Sequence, residues 1–178
     1  SRHSFNRIAD TPAVQVSVSE LPDVFRIDGS TVTVGAGVRY GEMVGRLDEA
    51  GWALHNLASL PHISIAGAVA TGTHGSGDRN GSLATAVAAL RLVNADGELV
   101  EVKRGDPQFD GMVVSLGLLG VVTEVTLDIE PTYEVRQRVF EDLSWSAIHE
   151  HFDEITASAY SVSMFTDWGD GASSVWLK

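Results

Sequence analysis

Short segments in which apolar and polar residues alternate recur along the chain, and this period of two is typical of half-buried strands. The pattern predicts strands at residues 14–18, 24–27, 31–34, 52–57, 86–93, 98–102, 121–129, 133–140, 160–165 and 174–177. Turn sequences support two hairpins, because Asp28-Gly29 and Ala95-Asp96-Gly97 each separate two of these segments. We therefore expect a chain rich in short strands.

Three helices are predicted between the strands. Apolar residues fall at helical spacing within residues 40–50, and Gly51 supplies a stop signal. Asp106-Pro107 predicts a second helix, with aspartate as N-cap and proline at the first helical position, ending at residues 117–120. The third helix places three apolar residues on one face: Ile148, Phe152 and Ile155. Strands and helices in this order predict an α+β fold.

Pro131 marks the predicted domain boundary, with one domain at residues 1–132 and the beginning of a second at residues 133–178. The chain opens at Ser1 without a methionine, and it closes in the strand-like run 174–177 with no partner strand after it. We therefore expect this chain to be a segment of a longer protein.

The segment at residues 63–77, here called the small-residue segment, contains no large apolar side chain after Ile65 and is predicted to be a loop. Its glycines expose backbone N–H groups that could hold a pyrophosphate, and its hydroxyl groups add polar contacts. These residues are Gly67, Gly72, Gly75 and Gly77, with Ser64, Thr71, Thr73 and Ser76. A flat ring could lie on its apolar part at Ile65, Ala66 and Ala68. The alternative is a close-packed turn that binds no ligand.

Charge and composition exclude several classes of function. A formal charge of -12 argues against nucleic-acid binding and means that an anionic cofactor needs backbone N–H groups rather than a Lys/Arg cluster. The absence of cysteine excludes disulfides and thiolate metal sites. No metal site is expected from His149 and His151 either, because residues two apart on a helix point away from each other. Neither a membrane-spanning run nor a signal peptide is visible, so a cytoplasmic location is expected.

Two segments resemble known motifs, one nucleotide-binding and one catalytic, but each lacks residues that the motif requires. Gly35-Ala-Gly37-Val-Arg-Tyr-Gly41 follows a strand and precedes a helix, but its spacing differs from the dinucleotide fingerprint and the acidic residue for the ribose is missing. A tight strand–helix turn is the preferred interpretation. Ser115 lacks the first glycine of a hydrolase nucleophile elbow, so the glycine-rich run after His74 is not expected to be an oxyanion loop.

Three stretches closely resemble the FAD-binding domain, of the PCMH type, in the vanillyl-alcohol-oxidase superfamily. They are Ser1-Arg-His-Ser-Phe-Asn6, the run Leu60 to Gly77 with its Ala-Thr-Gly-Thr-His-Gly core, and Leu116 to Thr123. Within the superfamily the chain is most similar to bacterial alditol (xylitol) oxidases and to the gulonolactone and arabinonolactone oxidases. The resemblance extends over nearly the whole chain.

The resemblance implies FAD as cofactor and a role for several residues. His3 corresponds to the histidine that bonds covalently to the 8α carbon of the flavin, whereas on sequence alone it would be an exposed terminal residue. Ser59 would lie beside flavin N5, where the substrate approaches, as the one candidate catalytic residue. The remaining implied cofactor-binding residues are Ser4, Ser64, Ile65, Gly67, Thr71, Gly72, Thr73, His74 and Val122. A structural role for His74 stays open.

The resemblance also implies the reaction of the intact enzyme. It would oxidise a CH–OH group of a polyol or sugar lactone by hydride transfer to flavin N5, and molecular oxygen would be reduced to hydrogen peroxide. Residues 1–132 would be the second lobe of the FAD domain without its first βαβ lobe, and 133–178 the start of the substrate (cap) domain. Because the main catalytic residues lie outside this chain, it is expected to be inactive alone. The alternatives are a dehydrogenase of the same superfamily and a non-enzymatic flavin-binding module.

Overall fold

The contacts within the chain divide it into two compact units, in a computed structural model that describes residues 3–178. The first unit comprises the chain up to His74 together with Ser82–Thr132. The second comprises Gly75–Gly81 together with Tyr133–Lys178. Ser1 and Arg2, which open the first resembling stretch, lie outside the described residues.

The described residues of the first unit form seven strands and three helices. The strands are β1 (Phe25–Asp28), β2 (Thr31–Gly35), β3 (Trp52–Ala53), β4 (Val87–Val93), β5 (Leu99–Lys103), β6 (Val121–Asp128) and β7 (Glu130–Pro131). The helices are α1 (Tyr40–Glu49), α2 (Ile65–Ala70) and α3 (Phe109–Val113), and Leu83–Ala86 forms a 3-10 turn. Five strands form one antiparallel sheet in the order β1-β2-β6-β4-β5, and β3 pairs with β7.

The core of this unit lies between one face of the sheet and the helices. Val32 and Val34 of β2 are fully buried, as are Met43 and Leu47 of α1, which follow helical spacing. The helix starts where the Glu42 carboxylate accepts the backbone N–H of the N-cap at 3.1 Å. Burying this apolar stripe, rather than helix propensity alone, stabilises so short a helix.

Charged side chains occupy the opposite face of the sheet. Arg26 donates to Glu124 at 2.8 Å, and Arg91 lies 3.4 Å from the same carboxylate while donating to Glu101 at 3.0 Å. Hydrogen bonds from Lys103 and Arg91 lower the pKa of Glu101. Because water screens these pairs, they keep this face polar and contribute little to stability.

The second unit is a three-stranded antiparallel sheet covered by two short helices. Its elements are β8 (Arg138–Ser144), α4 (Trp145–Glu150), α5 (Phe152–Thr156), β9 (Val162–Phe165) and β10 (Gly171–Leu177), with the sheet order β8-β10-β9. Ser144 caps α4 by accepting the N–H of Ala147 at 3.3 Å. Ile148, Ala172 and Val175 form its small core.

The structure confirms the predicted hairpins, the first helix and the strand at 121–129, but three predicted strands are wrong in place or extent. Residues 14–18 form no strand, and Val14 is 89% exposed, because no described segment pairs with them. The strand predicted at 52–57 has two residues, Trp52–Ala53. The strand predicted at 133–140 begins at Arg138 and continues to Ser144. The run 174–177 lies in β10, which pairs with two strands that precede it in the sequence, β8 and β9.

The helix predictions also need correction. Asp106 is not an N-cap: its carboxylate accepts the Lys103 N–H at 2.8 Å and its carbonyl accepts the Phe109 N–H at 3.0 Å, so it closes a turn and the helix starts at Phe109. The predicted third helix breaks at His151 into α4 and α5, leaving Phe152 half exposed. Within residues 3–178, no helix combines the length and hydropathy that a bilayer crossing needs.

A matched pair of leucine substitutions tests the core. Leu47→Ala removes a side chain that is 0% exposed, and we expect the free energy of unfolding of the first unit to fall by about 3 kcal/mol. Leu99→Ala, at a position that is 63% exposed, serves as the control and should change it by less than about 0.5 kcal/mol. Chemical denaturation measures both. Equal effects of the two substitutions would contradict the described packing of α1.

Candidate cofactor-binding site

Backbone hydrogen bonds hold the start of the small-residue segment against the turn between β2 and α1. They are Ile65 N to Val38 O at 2.9 Å, Ala66 N to Ala36 O at 3.2 Å, Tyr40 N to Ile63 O at 3.1 Å and Gly41 N to Pro61 O at 2.8 Å. A Cβ on Gly41 would lie 3.0 Å from the Pro61 side chain, so this glycine permits the close approach. The glycines of residues 35–41 thus belong to a tight strand–helix turn, as predicted. The antiparallel sheet has no Rossmann βαβ unit at this point.

The small-residue segment is not a loop throughout, which corrects the sequence prediction. Ser64 has extended backbone and precedes the six-residue helix α2. Ile65, Ala68 and Val69 face the core, whereas Gly67 is exposed. Ile65 is 0% exposed and its backbone N–H is bonded to Val38 O, so it offers no surface to a flavin ring in this structure. The exposed side of α2 therefore consists largely of backbone and methyl groups.

Residues Thr71–His74, here called the cofactor loop, follow α2 and are hydrogen-bonded to it. Gly72 has φ +64 and donates its N–H to Val69 O at 3.2 Å. Thr73 donates its N–H to Ala68 O at 3.0 Å and accepts the N–H of Leu83 at 2.8 Å. The left-handed conformation at Gly72 favours glycine over every other residue.

The threonine hydroxyls stabilise the loop itself. Thr71 Oγ1 donates to Gly67 O at 2.9 Å and lies 3.2 Å from Thr73 Oγ1. A hydroxyl has one hydrogen, so Thr73 is the donor of the second bond and Thr71 its acceptor. Both hydroxyl hydrogens are thereby used within the loop. In this arrangement the two hydroxyls and the N–H groups of Gly72 and Thr73 are all bonded within the protein, so none of them is free to hold a phosphate.

His3 lies in an aromatic cluster at the beginning of the described chain. Its ring meets those of Phe5 and His62 edge to face, with centroid distances of 5.1 Å and 5.3 Å. His3 is half-buried and His62 is exposed. Sequence reasoning did not select His62, although it lies inside the second resembling stretch. The structure therefore brings the predicted attachment residue to the segment that leads into α2.

The other predicted residues occupy different environments. Ser4 and Ser59 are exposed, as is His74, whose backbone bridges to Ser82. Ser64 is half-buried, and its Oγ lies 2.8 Å from where a Cβ on Gly67 would be. Val122 is half-buried on β6, opposite Leu92 of β4.

Two buried polar atoms lack a hydrogen-bond partner among the described residues. One is Nδ2 of Asn56, a residue that is 8% exposed and whose Oδ1 accepts the Leu57 N–H at 2.9 Å. The other is the hydroxyl of Tyr40, and burial raises the pKa of this phenol. A buried donor without a partner is unfavourable by roughly 1–3 kcal/mol, so a ligand acceptor at Asn56 would remove that penalty. Asn56 was not among the residues selected from the sequence, because a single asparagine carries no motif.

Within residues 3–178, no group of three His, Cys, Asp or Glu side chains could hold a metal ion. His151 ends α4 and pairs with Glu154 at 3.3 Å, while His149 lies against Trp145. These histidines belong to the surface of the second unit.

Comparison with known proteins identifies the class. A family model described as an FAD binding domain matches residues 1–103, more than half of the chain. The chain therefore belongs to the family of FAD binding domains, its cofactor is FAD, and the predicted resemblance is confirmed.

The chain is similar to curated oxidoreductases. It is 50% identical to an alditol oxidase of a Streptomyces species, over 99% of this chain and 43% of that protein. It is 37% identical to an L-gulono-1,4-lactone dehydrogenase of Mycobacterium tuberculosis, over 77% of this chain and 32% of that protein. The chain thus spans less than half the length of these relatives.

A solved structure shares the fold. A solvent-stable cholesterol oxidase superposes with a TM-score of 0.79 at 19% identity, covering 92% of this chain and 36% of that one. This likeness confirms the predicted α+β fold of the FAD-binding type.

Two glycine-to-alanine substitutions test the conformation of the cofactor loop. Gly72→Ala should lower the free energy of unfolding by roughly 1 kcal/mol, because φ is +64 there although the nearest atom to a new Cβ, Val114 Cγ1, is 3.7 Å away. Gly45→Ala, on the exposed face of α1 with open space around it, should raise the free energy by roughly 0.5–1 kcal/mol. Chemical denaturation of both variants measures the two changes in the free energy of unfolding, which should have opposite signs. A neutral Gly72→Ala would contradict the left-handed backbone.

Proposed function

We propose that the protein containing this chain is an FAD-dependent oxidase that converts a CH–OH group of a polyol or sugar lactone into a carbonyl. The observation that carries the proposal is the 50% identity to an alditol oxidase over 99% of the chain. FAD, when bound, supplies the acceptor for the hydride that leaves the substrate carbon, and the substrate hydroxyl gives up its proton. Molecular oxygen takes the two electrons and is released as hydrogen peroxide.

Residues of the first unit would hold the cofactor. The cofactor loop and the exposed side of α2 present backbone with few side chains in the way, which suits the close approach of a flat cofactor. In this role Thr71 and Thr73 fix the backbone rather than donate to the ligand. Asn56, with its buried unpaired amide hydrogens, is a further donor in the same unit. These features fit an anionic cofactor in a chain of formal charge -12.

His3 is the proposed covalent attachment residue. A neutral imidazole is nucleophilic, and the edge-to-face contacts with Phe5 and His62 restrict the orientation of its ring. Ser59 is proposed to lie at the flavin, where the substrate approaches, and its exposure is compatible with that place. Ser4 and Val122 complete the proposed set of cofactor contacts.

The two units receive separate proposed roles. Residues 1–132 form the FAD-binding domain, and residues 133–178 begin the substrate domain. The excursion Gly75–Gly81 groups with the second unit by its contacts, although it directly follows the cofactor loop in sequence. The residues that select the substrate are proposed to lie in the part of the relatives that this chain does not span.

A dehydrogenase is the second candidate function, because a relative at 37% identity carries that name. Steady-state kinetics of the full-length protein with a polyol or lactone would separate the two. An oxidase should turn over with oxygen as sole acceptor and release hydrogen peroxide equal to the substrate consumed. Turnover that requires a dye or protein acceptor, with oxygen contributing less than about one-hundredth of the rate, would favour the dehydrogenase.

Substitution of His3 tests the covalent bond to the cofactor. In full-length protein, acid precipitation should leave the yellow flavin in the pellet of the wild type and release it to the supernatant for His3→Ala. His149→Ala replaces an exposed histidine of the second unit and should retain the flavin like the wild type. Flavin that stays in the His3→Ala pellet would refute the assignment of His3 while leaving FAD as cofactor.

A further inference from the structure

The chain between the cofactor loop and the 3-10 turn makes a seven-residue excursion, Gly75–Gly81, that packs with the second unit. The chain on both sides of it belongs to the first unit. An antiparallel bridge between His74 and Ser82 closes its base, and the Leu83 N–H bonds to Thr73 O at 2.8 Å just below. The excursion therefore starts directly at the end of the cofactor loop.

Asn80 fixes the far part of the excursion through both hydrogens of its amide. Nδ2 donates to Ser76 O at 2.9 Å, within the excursion, and to Tyr160 O at 3.2 Å, immediately before β9. The Asn80 N–H bonds in turn to Gly77 O at 3.1 Å. A side-chain amide has two donors, and both are used here on backbone carbonyls.

A serine cluster adds a second connection. The Ser76 hydroxyl accepts from Ser163 at 3.1 Å and is hydrogen-bonded to the Ser161 hydroxyl. Ser161 is 8% exposed, and its backbone exchanges two hydrogen bonds with Lys178, at 3.1 Å and 2.9 Å. A Cβ on Gly77 would contact Asn80 Nδ2 at 2.5 Å, so the backbone here is closely packed. The excursion is thus bound to β9 and, through Ser161, to the end of the chain beside it.

We infer that Asn80 is a positioning residue that couples cofactor binding to the order of β9. This inference rests on the proposed function, because it takes Thr71–His74 to be the loop that holds FAD. A ligand that restricts Thr71–His74 also restricts Gly75, the next residue, and with it the excursion that Asn80 and Ser76 bond to Tyr160–Ser163. Ordering one segment lowers the entropic cost of ordering the other, which is a coupling free energy between the two.

Hydrogen exchange of the full-length protein, with and without FAD, tests the coupling. FAD-free protein comes from cells limited in riboflavin, and exchange is followed on peptides covering residues 160–165. In the wild type, FAD should slow exchange there by roughly 5-fold or more. Asn80→Ala should still bind FAD but lose most of this FAD-dependent difference.

The matched control is Asn94→Ala. Asn94 also braces a turn through its side chain, bonding to Glu98 Oε2 at 3.2 Å and accepting the Asp96 N–H at 3.0 Å, but it lies between β4 and β5. This variant should keep the FAD-dependent slowing at residues 160–165. If circular dichroism shows that Asn80→Ala does not fold, Ser76→Ala is used instead. Removing the Ser76 hydroxyl should reduce the FAD-dependent slowing of exchange at residues 160–165, while the Ser76 carbonyl that Asn80 bonds remains.

The other outcomes of the exchange experiment distinguish failure of the inference from failure of the proposed function. Equal loss of protection in the FAD-free and FAD-bound forms of the variant would show that Asn80 is structural only and would overturn the inference. Wild-type protein that binds FAD without slower exchange at residues 160–165 would also overturn it, and the proposed function would stand. Wild-type protein that binds no FAD would refute the proposed function and the inference together.

Discussion

Backbone hydrogen bonds between residues 36–41 and residues 61–66 fix the place of the small-residue segment, on which the proposed site depends. They attach the beginning of the small-residue segment to the turn at the end of β2, and the Ala36 N–H continues the connection into β6 through Thr123 O at 2.9 Å. Because the bonds use main-chain atoms, the segment needs no large side chains to hold it. Its outer surface can therefore stay bare, which is what the approach of a flat, anionic cofactor requires.

The same constraint explains how an acidic chain can serve an anionic ligand. With 24 acidic residues against 12 basic ones, long-range electrostatics disfavour the approach of a pyrophosphate. Local N–H dipoles act at hydrogen-bond distance, where screening by salt is weak. The hydroxyls of Thr71 and Thr73 form hydrogen bonds that stabilise the backbone conformation of the loop. In this account the side chains stabilise the backbone conformation, and the bare backbone surface is where the cofactor lies.

Sequence patterns predicted the elements whose signals are local. The Asp28-Gly29 hairpin and helix α1 carry their own turn, spacing and stop residues, and both are in place. Residues 14–18 alternate like a strand but lack a neighbour to pair with, a property that no local pattern contains. Helix α2 was missed for the converse reason, since a six-residue helix is too short to be stable alone and depends on its tertiary contacts.

The residues of the candidate site that lie in a sequence motif could be predicted, and the others could not. His3 and the Thr-Gly-Thr-His run stood out through resemblance to the FAD-binding family, which the match to residues 1–103 confirms. Asn56, His62 and Asn80 could not be selected from the sequence, because they stand out only through burial, ring contact and hydrogen bonds between distant segments.

A crystal structure of the full-length protein, isolated with its cofactor, tests the central claim most directly. We expect FAD to lie against Thr71–His74 and the exposed side of α2. A pyrophosphate held by Lys or Arg side chains away from this loop would contradict it.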